Sequence, residues 1–378
     1  MLDTRHFGAA LRSRGFDLFT GVPCSYLRHL INYAIAEVDY LNVANEGEAV
    51  AVAVGARLGG RKPVVMFQNS GLTNALSPLV SLVQPYRIPV FGLVTLRGEP
   101  GIPDAPQHTL MGAVTTSLLD LVGLRWSFLQ TDESGVEQQL AEVEETLARG
   151  QSYFFVVREK TFSPFSASAR RVPNPAVGGQ LDHGQPAEVL MTRSAALQTL
   201  LDEAPEAALI ATTGYTGREL SGLADRDTNF YMTGSMGCAS SIGLGLAHAQ
   251  PDRRVIVVDG DGAALMRLSA LPALGQRQPA NLLHLVLDNA CHESTGGQAT
   301  LSSTVDFARM AAAAGYPVAR HVFNQEDLAS QVGDWYRSPE RRLTFLVLRT
   351  APGVASSLSR PEQTLPDLAQ RFHRAVAR

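Results

Sequence analysis

Short apolar runs bounded by glycine, proline and charge recur along the whole chain. Residues 16–22, 40–44, 63–67, 89–96 and 153–157 have the length and the Val/Leu/Phe content of buried strands. Residues 208–212, 254–259, 282–288 and 343–348 repeat that pattern, with helical stretches such as 25–36 and 46–58 between the strands. A strand that is apolar on both faces needs cover on both faces. The pattern therefore predicts an α/β fold of mostly parallel sheets with helices on each side.

Residues 166–186 (SASARRVPNPAVGGQLDHGQP) interrupt the rhythm with Pro, Gly, Ser and Ala and no periodic face. They read as a linker between a first domain over 1–165 and a second over 187–378. An amphipathic helix over 361–377 ends the sequence as a packing element.

Composition narrows the function class. The chain of 378 residues is 45% apolar and 18% charged, as expected of a globular protein with sizeable cores. A net charge of −4 provides no basic excess for binding nucleic acid. No apolar run is long enough to span a bilayer, and the charged start of the chain has no signal core, so a cytoplasmic location is expected. Cys24, Cys238 and Cys291 form no CxxC pair, which suits a reducing compartment and argues against a thiolate zinc site. Neither GxGxxG nor GxxxxGK[ST] follows a predicted strand, which removes the common nucleotide-binding loops.

The strongest chemical signal lies in the second half. One apolar strand runs into Asp259-Gly260-Asp261-Gly262, and the next ends in Asp288-Asn289. Parallel strands bring their C-terminal ends to one crest, so a carboxylate and a carboxamide there can share a coordination sphere. Mg²⁺ takes such hard oxygen ligands and completes its octahedron with phosphate and water. Glycines around Asp261 allow backbone N–H groups to approach a phosphate closely. By itself the GDG triplet could be only a tight turn; the placement of Asn289 one helix and one strand later points to a metal.

These residues resemble the signature of the thiamine-diphosphate (ThDP) enzyme superfamily. The resemblance implies two domains, a pyrimidine-binding one followed by a diphosphate-binding one. It also implies Mg²⁺ held by Asp261, Asn289 and the backbone carbonyl of Cys291. Thr213, Gly214, Tyr215 and Thr216 look like the family's diphosphate loop, with Gly260, Gly262 and Ala263 beside the phosphates. Gly234-Ser235-Met236 fits the segment whose bulky apolar residue props the cofactor's two rings apart, although Met236 alone could be an ordinary buried methionine. Glu46 opens an Ala-rich helix after a predicted strand and matches the family's activating glutamate. The bland alternative for Glu46 is a favourable helix-dipole contact. Gln68, Asn69 and Ser70 look like the loop on the pyrimidine side. In this superfamily sites form between subunits, so the resemblance implies a homodimer or larger assembly. The chain lacks the length for the middle domain that many members carry.

Further segments narrow the resemblance to the phosphonopyruvate decarboxylase family, with sulfopyruvate decarboxylases as close relatives. They are TGVPCS at 20–25, RGEPG at 97–101, PQH at 106–108, GYTGREL at 214–220 and HESTGGQ at 292–298. Ala105 stands where that family usually has an acid. The implied substrate is a small 2-oxo acid with an anionic tail, decarboxylated within phosphonate metabolism. Sulfopyruvate decarboxylation and non-catalytic ThDP binding are the alternatives. Arg97 could fork onto phosphonate oxygens or pair with Glu99 or Asp104. His108, Gln107 and Ser25 are further candidate donors, with a helix N-terminal hydrogen bond as the alternative for His108. His292 could face the thiazolium, and Arg218 with Glu219 reads as an internal salt bridge.

Overall fold

The computed structural model describes residues 1–166, 190–354 and 358–377. The chain divides into two compact units, Met1–Pro173 and Asn174–Arg378. Residues 167–186 of the predicted linker lie outside the described residues.

The first unit is built on a six-stranded parallel sheet. Its strands are β1 (Phe16–Gly21), β2 (Tyr40–Asn42), β3 (Lys62–Phe67), β4 (Phe91–Thr95), β5 (Arg125–Phe128) and β6 (Tyr153–Val157), in the order β2-β1-β3-β4-β6-β5. The order reverses between β1 and β3, and such a switch point opens a crevice at the strands' C-terminal ends. Helix Glu46–Leu58 is almost wholly buried, as its Ala, Val and Gly composition requires, since no side of it could face water at low cost. Asn45 caps its start by accepting from the Gly47 N–H at 2.8 Å. Aromatic rings of β1, β4 and β6 interlock on one face, with Phe16–Phe91 and Phe91–Phe155 centroids both 5.2 Å apart.

The second unit repeats the plan. Its strands are β7 (Met191–Thr192), β8 (Ala208–Ala211), β9 (Asn229–Tyr231), β10 (Val255–Gly260), β11 (Leu282–Asp288), β12 (Cys291–His292), β13 (Gln298–Ala299), β14 (Val318–Val322) and β15 (Thr344–Ala351). The parallel sheet runs β14-β15-β11-β10-β8-β9, with β7 paired to β15, and it switches direction between β8 and β10. Strands β12 and β13 form a separate antiparallel pair. Helix Ala239–Ala249 is buried along most of its length against this sheet.

The central strands coincide with the predicted runs to within one to three residues at each end. The edge strands β5, β9 and β14 were not anticipated. β5 and β14 are largely half-exposed, so neither has a continuous apolar run. β9 has only three residues, too few for a pattern. The terminal helix spans Leu365–Val376, beginning after its Thr364 cap rather than at Pro361. Among the described residues no helix is long and apolar enough to cross a membrane.

Candidate functional site

At the crest of the second sheet, one cavity is lined by Thr213, Gly214, Tyr215, Thr216, Met236, Gly260, Asp261, Gly262, Ala263, Asn289, Cys291 and His292. These residues come from four separate stretches of sequence, and the switch between β8 and β10 brings them together. Helix Tyr215–Leu223 starts at this cavity behind Gly214, whose φ of +98° favours glycine. Gly234 and Ser235, which precede Met236, are not among the residues lining the cavity. Ser235 and Gly237 both adopt left-handed backbone, with φ of +52° and +88°, and so hold Met236 on a tight turn between them.

Asp261 is buried, and its carboxylate accepts from the Thr300 hydroxyl. Burial raises its pKa, which the Thr300 hydrogen bond opposes and the negative charge of Asp288 reinforces. Asp288 is itself balanced by Arg349, 2.7 Å away. Asn289 Oδ1 accepts from the Cys291 N–H at 3.1 Å across Ala290, which has a φ of +60°. A non-glycine residue in that region is uncommon, and here it shapes the turn that carries Cys291. A Cβ added at Gly262 would lie 2.5 Å from the His292 ring, so only glycine lets the imidazole rest on the turn.

These donors fit Mg²⁺ and a diphosphate. Carboxylate, carboxamide and backbone carbonyl are all hard oxygens. Among the described residues no three His, Cys, Asp or Glu side chains converge as a self-sufficient metal cage, so the remaining ligands would be phosphate and water. The buried Thr212 hydroxyl in the cavity wall also has no protein partner.

At the crest of the first sheet, Asn74 donates to Glu46 Oε2 at 2.9 Å. A Cβ at Gly71 would fall 2.1 Å from both Glu46 Cδ and Oε1, so Gly71 makes room for the carboxylate. Gln68 donates to the Ser70 hydroxyl at 2.8 Å. Asn69 is fully buried; its side chain bonds the main chain of Arg97 through both amide atoms and the Thr115 hydroxyl. Its amide is thus occupied in joining the loop after β3 to the loop after β4.

Arg97 forks onto Asp104, with Nε to Oδ2 at 3.1 Å and Nη2 to Oδ1 at 2.5 Å. The ion pair that the sequence offered is made with Asp104, while Glu99 binds Arg158 at 2.7 Å. Asp104 also accepts from the N–H groups of Gly98 and Ala105 and approaches His108 Nδ1 at 3.1 Å. The Arg97 bond, followed by these smaller contributions, holds the Asp104 carboxyl far below the usual carboxylate range. His108 is buried, whereas Ser25 and Gln107 are exposed. The predicted Arg218–Glu219 pairing is not formed, because Glu219 binds Arg193, while Arg218 lies over the Tyr215 ring. Arg193 has no motif around it and was not anticipated, although it lines the same cavity as Asp261.

The model for the thiamine pyrophosphate enzyme N-terminal TPP binding domain matches residues 4–118, and that for the C-terminal TPP binding domain matches residues 221–346. The chain is 42% identical to a phosphonopyruvate decarboxylase of Streptomyces viridochromogenes, across 100% of this chain and 95% of that protein. It is 27% identical to a sulfopyruvate decarboxylase of Methanosarcina acetivorans, across 93% and 92% of the two chains. A benzoylformate decarboxylase structure from Polynucleobacter necessarius shares the fold, with a TM-score of 0.70 at 13% identity over 93% of this chain and 99% of that one. The chain belongs to the thiamine pyrophosphate enzyme family, within which it is a ThDP-dependent decarboxylase.

Proposed function

We propose that this enzyme converts 3-phosphonopyruvate to phosphonoacetaldehyde and CO₂, with Mg²⁺ as the metal partner of ThDP, in phosphonate metabolism. The observation that carries the substrate is the 42% identity, over the full chain, to a phosphonopyruvate decarboxylase. Bound ThDP supplies the nucleophilic carbon and the electron sink for loss of CO₂ from a 2-oxo acid.

The chain's own residues supply the rest. Asp261, Asn289 and the Cys291 carbonyl would hold Mg²⁺, and residues 213–216 with Gly260, Gly262 and Ala263 would bind the diphosphate. Met236 and the loop at 68–70 would pack against the rings. Asn74 occupies Glu46 Oε2, which leaves Oε1 to hold a proton for the pyrimidine. His292, fixed over Gly262, would face the reacting centre. Arg97 keeps Nη1 outside its fork on Asp104, and with His108, Gln107 and Ser25 it offers donors to an anionic tail.

The reading includes a homodimer or larger assembly, as the family resemblance implies, and a cytoplasmic enzyme, in keeping with three free cysteines. Sulfopyruvate is the second substrate reading, supported by the relative at 27% identity. The test is CO₂ release from phosphonopyruvate, sulfopyruvate and pyruvate, side by side, with ThDP and Mg²⁺. A higher kcat/KM on sulfopyruvate than on phosphonopyruvate would overturn the assignment, and sedimentation of a monomer would overturn the assembly.

A further inference from the structure

The cavity that holds Asp261 is also lined by a charged residue that no sequence motif marks, Arg193. Arg193 begins helix Arg193–Glu203, and its guanidinium is buried, with the side chain 9% exposed. Nε and Nη2 fork onto Glu219 at 3.0 and 2.7 Å, and Nη1 donates to Glu293 Oε2 at 2.5 Å. Glu219 lies one turn into the helix that opens at Tyr215, and it also accepts from the Ser194 hydroxyl at 2.9 Å. Glu293 directly follows His292, and its second oxygen accepts from the Gly353 N–H. The Tyr215 ring is flanked by Arg193 and Arg218, each 5.7 Å from its centroid.

One buried guanidinium therefore touches both elements that frame the cavity: the helix behind the diphosphate loop and the loop behind the metal turn. Burying two carboxylates with one cation is a poor source of stability, because desolvation offsets most of the attraction. Such a group is better suited to fixing geometry, since a planar fork and a third directed N–H allow few alternative arrangements. Its Nε and both Nη nitrogens are already engaged by protein oxygens, so Arg193 differs from a cation held open for phosphate.

We propose that Arg193 is a positioning residue for the cofactor, tying the loop at 292–294 to the helix beginning at Tyr215 so that the metal turn and diphosphate loop keep one arrangement. This rests on reading the cavity as the diphosphate and metal half of the site.

The test uses the full chain with Arg193→Gln, Arg193→Lys and Glu293→Gln. Calorimetry measures affinity for ThDP with Mg²⁺, and hydrogen exchange on the ligand-free protein follows the backbone at 291–297. Arg193→Gln is expected to speed exchange in that loop and weaken cofactor binding about 10–100-fold, the range for groups that orient metal ligands. Arg193→Lys, which keeps the charge but not the fork, should restore little of the affinity. Glu293→Gln should speed the same exchange with a smaller loss of affinity.

Wild-type exchange in Arg193→Gln overturns the proposal, even where affinity falls, because a direct phosphate contact would behave that way. If Arg193→Gln does not fold, wild-type loop exchange in Glu293→Gln has the same force. Neither readout involves a 2-oxo acid, so an error in the substrate leaves them untouched. Undiminished ThDP affinity in Asp261→Ala would instead show that the cavity itself had been misread.

Discussion

The two sheet crests handle charge in opposite ways. On the first, Asp104 gathers Arg97, His108 and two backbone N–H groups, so this carboxylate is matched by its neighbours. On the second, Asp261 is buried with a hydroxyl for a partner and a second carboxylate, Asp288, nearby. The Asp104 cluster is thus paired within the protein alone. Among the described residues Asp261 forms no ion pair, and Mg²⁺ would supply that charge. The same fold plan thus carries one carboxylate paired by the protein and one left for a ligand.

Asp261→Ala should break this contrast most severely, with a loss of ThDP·Mg²⁺ affinity beyond the roughly 100-fold expected for an outer partner. Because burial disfavours the charged carboxylate, the ligand-free variant should melt no lower than wild type in calorimetry. A clear drop in melting temperature would mean that the carboxylate stabilises the empty fold, contrary to the comparison. Glu46→Gln comes next. It should still bind cofactor but lose about 10²–10⁴-fold in turnover, the scale of positioned proton transfer, together with C2-proton exchange seen by NMR. Near-normal exchange would remove Glu46 from its assigned role.

Removing Mg²⁺ with a chelator should release ThDP and leave circular dichroism unchanged. Restoring both ligands at 100 times Kd should add about 2.7 kcal/mol of stability by linkage, measured by denaturant unfolding. The smallest effect belongs to Asp104→Asn. A carboxyl whose pKa is depressed in the fold contributes stability that is complete above its unfolded value, near 3.9, and is lost as pH falls through the folded value. The wild type's advantage over Asp104→Asn should therefore be level from pH 5 to 8 and shrink below about pH 4. An advantage that grows in acid would have the wrong sign for this ion cluster.

Much of the fold was legible because the central strands are buried on both faces and their sequences show it. The edges β5 and β14 were not, since half-exposed strands mix polar and apolar residues without a clear period. The second crest was readable because its chemistry is concentrated in GDG and DN at strand ends. Its supporting shell was not. Arg193 reaches Glu219 and Glu293 from distant positions in sequence, and no spacing rule links the three. Arg97 shows another limit: residue type alone does not say which carboxylate a guanidinium forks onto, and the fold selects Asp104 over Glu99.

Gly71 offers an unusual tool. A methyl group there would collide with the Glu46 carboxyl while leaving the acid, its helix and the metal turn chemically unaltered. Gly71→Ala would therefore change where the acid sits but not what it is. Set beside Glu46→Asp and Glu46→Gln, it would separate the distance dependence of proton transfer from its dependence on acid strength. An inventory of site residues would score such a variant as intact.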